Sequence, residues 1–188
     1  MSSPDDQDPL EDLPAREAAE AAEQHAQAEQ EVLDALGERF LQALSDKDGG
    51  RLDAAEDTLR EILAVEPRLP EPHLELARLL LDTDRVGEAE PHAREALRFL
   101  EAGGQWVEEL PAEVVLALAH ATLAEILRRR ADEDDVIFGE PEAFRALLAE
   151  SKVHFEQAAA LDPSDAYSSY HAFFLGPGGA SSQADEPA

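Results

Sequence analysis

Apolar residues recur at helical spacing along most of the chain, and Pro and Gly residues divide this pattern into segments. Spacings of i, i+3, i+4 and i+7 are typical of amphipathic helices with one buried face. Helical geometry is disfavoured for the residue before a proline, and glycine is common in turns. Proline and glycine therefore mark helix ends. The predicted helices span residues 15–45, 51–65, 71–82, 86–100, 112–130, 141–161 and 165–175. This pattern predicts an all-α fold.

One part of the helical pattern is repeated. Residues 51–63 return as residues 85–97, an offset of 34, with six of the thirteen positions identical. A fixed period of this length is typical of stacked helical hairpins. Stacking is needed because a single hairpin cannot bury its own apolar face.

This repeat resembles the tetratricopeptide repeat (TPR), a 34-residue helix–turn–helix unit. In residues 70–103 the matching positions are His73, Leu76, Ala77 and Leu80, then Val86, Ala89, Ala93 and Ala96. A split third repeat has the same spacing at His120, Leu123, Ala124 and Leu127, then at Leu148, Ser151, Phe155 and Ala158, with about fifteen additional residues between the two helices. The resemblance implies a right-handed superhelix of about three TPR-like hairpins with an N-terminal helix and a C-terminal capping helix.

The domain prediction follows from the resemblance and from the composition of the two ends. We expect a TPR-like domain over residues 15–175, with repeats at about 36–69, 70–103 and 112–164, an insertion near 131–141 and a capping helix at 165–175. Residues 1–14 are acidic and contain three prolines, which predicts a disordered tail. Residues 176–188 are rich in Gly and Ser and predict a flexible tail.

The formal net charge is −28, from 43 acidic and 15 basic residues. Such a surface repels nucleic acid and anionic lipid, so we expect neither as a partner, and it favours a basic one. The acidity also has two simpler explanations that stay open, solubility and adaptation to a salt-rich host. The absence of cysteine excludes disulfides. Because neither a signal peptide nor a membrane span is evident, we expect a cytoplasmic protein.

The sequence contains no pattern that predicts catalysis, a cofactor or a metal site. Two Glu–His pairs have i, i+4 spacing, Glu88 with His92 and Glu150 with His154. A metal site needs more converging ligands, and no HExxH pattern is present. We therefore expect structural histidines, no cofactor and no enzyme.

The resemblance implies a binding surface, because the first helix of each TPR hairpin faces a concave groove. The side chains expected there are Glu71, Leu74, Glu75, Arg78, Leu81 and Asp82, joined by Glu125 and Arg128 of the split repeat. These acidic and apolar residues favour a basic or amphipathic peptide and a role as scaffold, adaptor or chaperone-like binder. Two alternatives stay open: groove residues that are merely solvated, and a self-associating structural protein of unknown oligomeric state.

The insertion near 131–141 contains the apolar triplet Val136, Ile137 and Phe138 beside four acidic residues. An exposed triplet would be a contact for a partner protein. A triplet that folds back would seal the split repeat. We favour sealing, because exposed apolar triplets are uncommon in soluble monomers.

Overall fold

The computed structural model describes residues 13–107 and 110–175, and these residues form eight helices and no strand. This confirms the predicted all-α class. Residues 1–12 and 176–188, on which most of the two predicted tails fall, lie outside the described residues. The helices are α1 (Leu13–Asp48), α2 (Leu52–Val65), α3 (Pro70–Asp82), α4 (Val86–Glu101), α5 (Ala112–Ala131), α6 (Asp134–Gly139), α7 (Pro141–Leu161) and α8 (Ala166–Phe174).

The helix ends follow from local chemistry. Pro70 and Pro141 begin α3 and α7, where the missing N–H group has no partner to lose. Asp165 caps α8 by accepting hydrogen bonds from the N–H groups of Tyr167 and Ser168 at 3.0 and 3.3 Å. Gly103 follows α4 with a φ of 78°, a left-handed conformation that favours glycine. Proline, aspartate and glycine therefore lie at the helix ends where their backbone or side-chain chemistry favours a helix start or a turn.

The helices pack in sequence order as antiparallel pairs. The pairs are α1 with α2, α3 with α4, and α5 with α7; α2 packs on α3, α4 packs on α5, and α8 packs on α7. Ala77 and Ala89 are fully buried within the α3/α4 pair. Small side chains at these positions let two helices approach closely, so the pattern of small residues has a direct packing role.

The α5/α7 pair corresponds to the residues predicted as a split repeat, and the short helix α6 lies in the connection between its two long helices. The Ser151 hydroxyl of α7 donates to the Ala124 carbonyl of α5 at 2.7 Å. The apolar triplet of the insertion is divided: Val136 is buried at 7% exposure, whereas Ile137 and Phe138 are 42% and 83% exposed. Val136 is therefore the buried member of the triplet, and sealing of a split repeat stays a prediction.

Helix α1 extends beyond the helix pair that it forms with α2. Its 36 residues span about 54 Å. Leu36, Phe40 and Ala43 are buried, but every residue from 19 to 32 is exposed. The N-terminal part of α1 is therefore a projecting helix.

Candidate functional site

The connection between α4 and α5 lies against α1 and α3, and Glu71 of α3 holds it there. Oε1 of Glu71 accepts hydrogen bonds from the backbone N–H groups of Trp106 at 2.9 Å and Val107 at 3.0 Å. Glu71 is only 6% exposed, and its Oε2 is buried without a hydrogen-bond partner among the described residues. Hydrogen bonds to a charged acceptor are among the stronger ones in proteins, so Glu71 is an anchor for this connection.

The anchored connection places Trp106 beside α1. The rings of Trp106 and Phe40 have centroids 5.7 Å apart at an interplanar angle of 53°. Gly37 lies one turn before Phe40, and a Cβ atom added there would meet the Trp106 ring at 3.7 Å. The indole ring is half-buried, so it contributes both to the core and to the surface.

A groove of about 480 Å³ lies between α1 and this connection, and we call it the α1 groove. Its floor is mainly apolar, and Leu41 on its edge is 67% exposed. Clefts of this size with apolar linings are typical of binding sites. The α1 groove is lined by Leu33, Asp34, Gly37, Glu38, Phe40, Leu41, Leu44, Trp106 and Val107.

Two exposed carboxylates, Asp34 and Glu38, lie in the lining of the α1 groove. Asp34 accepts a hydrogen bond from the Gln30 amide at 2.8 Å. Arg39, next to Glu38, pairs with Glu61 of α2 instead. Among the described residues, no basic side chain forms an ion pair with Asp34 or Glu38, so both carboxylates can accept a cation from outside.

The predicted groove residue Glu75 is already neutralised by the protein itself. Its carboxylate pairs with Lys47 of α1 and with Arg78 of α3, the latter at 2.5 Å. The Glu75 side chain is only 11% exposed. This carboxylate links α1 to α3 and has little surface left for a partner.

The predicted groove residues Glu125 and Arg128 belong to a second internal network. Arg128 donates to both carboxylate oxygens of Glu125 at 2.8 Å, Arg129 donates at 2.8 Å, and the Tyr167 hydroxyl donates at 2.7 Å. Burial raises the pKa of Glu125, but the hydrogen bonds from Arg128, Tyr167 and Arg129 outweigh it and lower the pKa to about 2. The network joins α5 to α8.

The remaining predicted site residues differ in exposure. Leu74 and Leu81 are buried at 2% and 7% exposure, which leaves them little area for a partner. Arg78 is half-buried and Asp82 is exposed. Helix α3 is packed between α2, α4 and α5, so most of its side chains are enclosed. Contact of these residues with a partner stays a prediction.

Sequence reasoning missed the α1 groove. Its wall depends on Trp106 and Val107, which lie in a connection that the helical pattern leaves unassigned. One signal was present: Trp106 is the only tryptophan of the chain, and a large aromatic residue outside a helix needs a packing partner. Gly37 is a second signal of the α1 groove, because it interrupts the apolar residues on the buried face of α1.

Three further observations bear on function. The described part of the chain contains no group of three or more side chains that could hold a metal ion. None of its helices combines the length and the apolar character that crossing a membrane requires. The chain matches no protein-family model and no curated protein sequence.

Proposed function

We propose that this protein is a helical interaction module that holds a basic, amphipathic segment of another protein in the α1 groove. The observation that carries the proposal is the apolar groove floor beside two carboxylates, Asp34 and Glu38, that have no cationic partner among the described residues. An apolar groove suits the apolar face of a helix, and adjacent carboxylates suit its Lys or Arg side chains. The role is that of a scaffold, adaptor or chaperone-like binder, without catalysis or cofactor.

We also propose that the helices form a TPR-like right-handed superhelix. The 34-residue repeat and the buried Ala77 and Ala89 support this arrangement. Gly37, Leu41 and Leu44 occupy the same places in repeat 36–69 that Glu71, Glu75 and Arg78 occupy in repeat 70–103. In a TPR-like superhelix the α1 groove would lie at one end of the concave face.

Among the described residues, the two carboxylates of the α1 groove differ from Glu75 of α3 and Glu125 of α5, because no basic side chain of the protein pairs with them. Glu75 and Glu125, the acids expected to attract a basic partner, already pair with Lys47, Arg78 and arginines of α5. A basic partner would have to displace these internal cations, so each new ion pair would replace an existing one. A partner that binds the unpaired carboxylates of the α1 groove breaks no ion pair among the described residues.

The test uses two designed helical peptides, both labelled with a fluorophore. One carries leucines on one face and arginines on the other, and its twin carries glutamates in place of the arginines. We expect the basic peptide to bind with a fluorescence anisotropy change that weakens in high salt, because exposed ion pairs are screened. Equal binding of both peptides, or of neither, would contradict the proposal.

Charge-matched variants locate the binding surface. Replacing both groove carboxylates, in Asp34→Asn/Glu38→Gln, should weaken binding of the basic peptide roughly threefold to tenfold, as two exposed ion pairs are lost. The control Glu20→Gln/Glu23→Gln removes the same charge from the projecting part of α1 and should leave the affinity unchanged. An equal loss in both variants would indicate nonspecific attraction to an acidic protein.

Self-association is a second candidate function, favoured by the projecting part of α1. Residues 19–32 are all exposed, and a helix with so little packing can gain stability from a partner helix of a second copy. Light scattering over a hundredfold range of protein concentration separates the two functions. A mass that doubles with concentration supports self-association, and a constant monomer mass excludes it over that range.

A further inference from the structure

Two pairs of histidines occupy the same place in two helical hairpins. His73 of α3 and His92 of α4 bring their Nδ1 atoms to 3.0 Å, and His120 of α5 and His154 of α7 do the same, also at 3.0 Å. The ring centroids are 5.2 Å apart in both pairs. The same geometry thus joins the two helices of each hairpin.

A distance of 3.0 Å between two ring nitrogens requires one proton between them. In the first pair the direction of the bond is determined by Pro67. Nε2 of His73 lies 3.0 Å from the Pro67 carbonyl oxygen, which can only accept a hydrogen bond. Nε2 of His73 therefore carries its proton, Nδ1 of neutral His73 is an acceptor, and Nδ1 of His92 is the donor.

The first pair can hold one positive charge but not two. A proton added to Nε2 of His92 leaves the bond between the two Nδ1 atoms intact. A second proton would have to bind Nδ1 of His73. It would place two N–H donors, on two cationic rings, 3.0 Å apart. Such a pair has no hydrogen bond and has like-charge repulsion, so the hairpin can only accept the second proton by opening.

The second pair obeys the same limit. Only one of the two facing Nδ1 atoms of His120 and His154 can carry a proton while they remain 3.0 Å apart. His120 is 6% exposed and His154 is half-buried, so water cannot easily replace the bond. On the outer side, Nε2 of His154 lies 4.0 Å from a carboxylate oxygen of Glu150.

The charged groups around the pairs do not cancel the effect of burial. Burial lowers the pKa of all four histidines. Around the first pair Glu95 and Glu88 raise the pKa, whereas Arg98 and Arg60 lower it. Around the second pair Glu101 and Glu150 raise it and Arg94 lowers it. In every case burial is the largest of these effects.

We propose that the two histidine pairs form an acid-sensitive latch, which keeps the α3/α4 and α5/α7 hairpins closed at neutral pH and releases them in mild acid. Each closed hairpin excludes one proton that the unfolded chain accepts. The unfolded chain binds this proton below a pH of about 6.5, the ordinary histidine pKa. Stability is therefore complete above that value and is lost as the pH falls below it.

The sign of this effect distinguishes it from the general electrostatics of the chain. With a net charge of −28, added protons relieve the repulsion between carboxylates, which stabilises a compact acidic protein. The latch predicts the opposite, a loss of stability. One excluded proton per pair changes the unfolding equilibrium constant by up to about tenfold per pH unit.

The test measures chemical unfolding of the full chain between pH 7.5 and 5.5, with EDTA present to exclude metal binding. We expect the unfolding equilibrium constant to rise as the pH falls below 6.5. In the double variant His92→Asn/His154→Asn this rise in the unfolding equilibrium constant should be smaller. An asparagine amide can either donate or accept a hydrogen bond, so the neighbouring histidine can be protonated and still have a hydrogen-bond partner. The control His25→Asn, on the exposed part of α1, should keep the full pH dependence.

A second measurement covers the case in which the double variant does not fold. Nitrogen-15 NMR of the wild-type imidazoles reports which ring nitrogen carries the proton. We expect neutral His73 protonated at Nε2 and His92 at Nδ1, with His73 still neutral below pH 6.5. The latch is overturned if all four histidines titrate freely near 6.5, or if wild-type stability stays constant or increases as the pH falls to 5.5.

Discussion

Glu71, at the start of α3, holds the backbone of Trp106, which lies 35 residues further along the chain, at 2.9 Å. The same carboxylate oxygen also holds the next N–H group, that of Val107. These two bonds fix the connection between α4 and α5 against α1. One side of the α1 groove therefore depends on a buried residue of another helix.

The substitution Glu71→Ala should detach this connection. Two backbone N–H groups lose a charged acceptor, so we expect a loss of about 1 to 3 kcal/mol in the free energy of unfolding. Trp106 should also become more exposed, with a red shift of its emission. The control Glu71→Gln keeps a carbonyl acceptor and should lose less. If the alanine variant keeps wild-type stability and emission, Glu71 is not the anchor.

The substitution Gly37→Leu should fill the α1 groove while the protein stays folded. A Cβ atom at Gly37 meets Trp106 at an ordinary contact distance of 3.7 Å, and leucine favours helix over glycine by up to about 1 kcal/mol. We expect binding of the basic peptide to fall at least about tenfold, without loss of stability. The matched control Gly87→Leu, at an exposed helical glycine with open space around it, should bind normally. Equal affinities of the two variants would place the binding surface elsewhere.

The ion-pair network of Glu125 should contribute to stability in a defined pH range. The pKa of Glu125 falls from its ordinary value of 4.5 to about 2, a change that corresponds to about 3 kcal/mol. Because the pKa is lowered, this stability is present above pH 4.5 and is lost as the pH falls toward 2. Glu125→Gln should therefore be less stable at pH 7 and lose less stability between pH 4.5 and 2. The control Tyr167→Phe removes one hydrogen bond and should have a smaller effect; identical acid unfolding of wild type and Glu125→Gln would contradict the assignment.

The two ends of the apolar triplet should respond differently to substitution. Val136→Ala removes buried apolar volume, and we expect a loss of about 1 to 2 kcal/mol in the free energy of unfolding. Phe138→Ser changes a side chain that is 83% exposed and should change stability by less than about 0.5 kcal/mol. Thermal and chemical unfolding of both variants measure the difference. Destabilisation by Phe138→Ser would show that Phe138 also packs against the core.

The helical pattern could be predicted because local sequence carries it. His73 and His92 are 19 residues apart, whereas His120 and His154 are 34 apart, and the difference equals the predicted insertion of about fifteen residues. Both pairs nevertheless reach the same geometry. Helix periods, prolines and small residues act over a few positions, so the sequence predicts seven of the eight helices of the described residues, and the six-residue α6 is the one it misses.

The candidate site could be predicted only in part. Leu74 and Leu81 are predicted to line the groove; neighbouring helices enclose α3 and bury both side chains, so their contact with a partner stays a prediction. Glu75 pairs with Lys47, 28 residues earlier, and this partner could not be chosen among many acids and bases. The position of Trp106 depends on the path of an irregular connection. Long-range pairings of this kind have no periodic signal in the sequence.

The most direct test of the central claim is a titration that follows the emission of Trp106. It is the only tryptophan, and it lines the α1 groove, so its fluorescence reports this site without a label. We predict that the basic amphipathic peptide, free of tryptophan, shifts the emission to the blue as its apolar face covers the ring. The shift should saturate and should weaken in Asp34→Asn/Glu38→Gln. Binding of the peptide with no change in Trp106 emission would contradict the account.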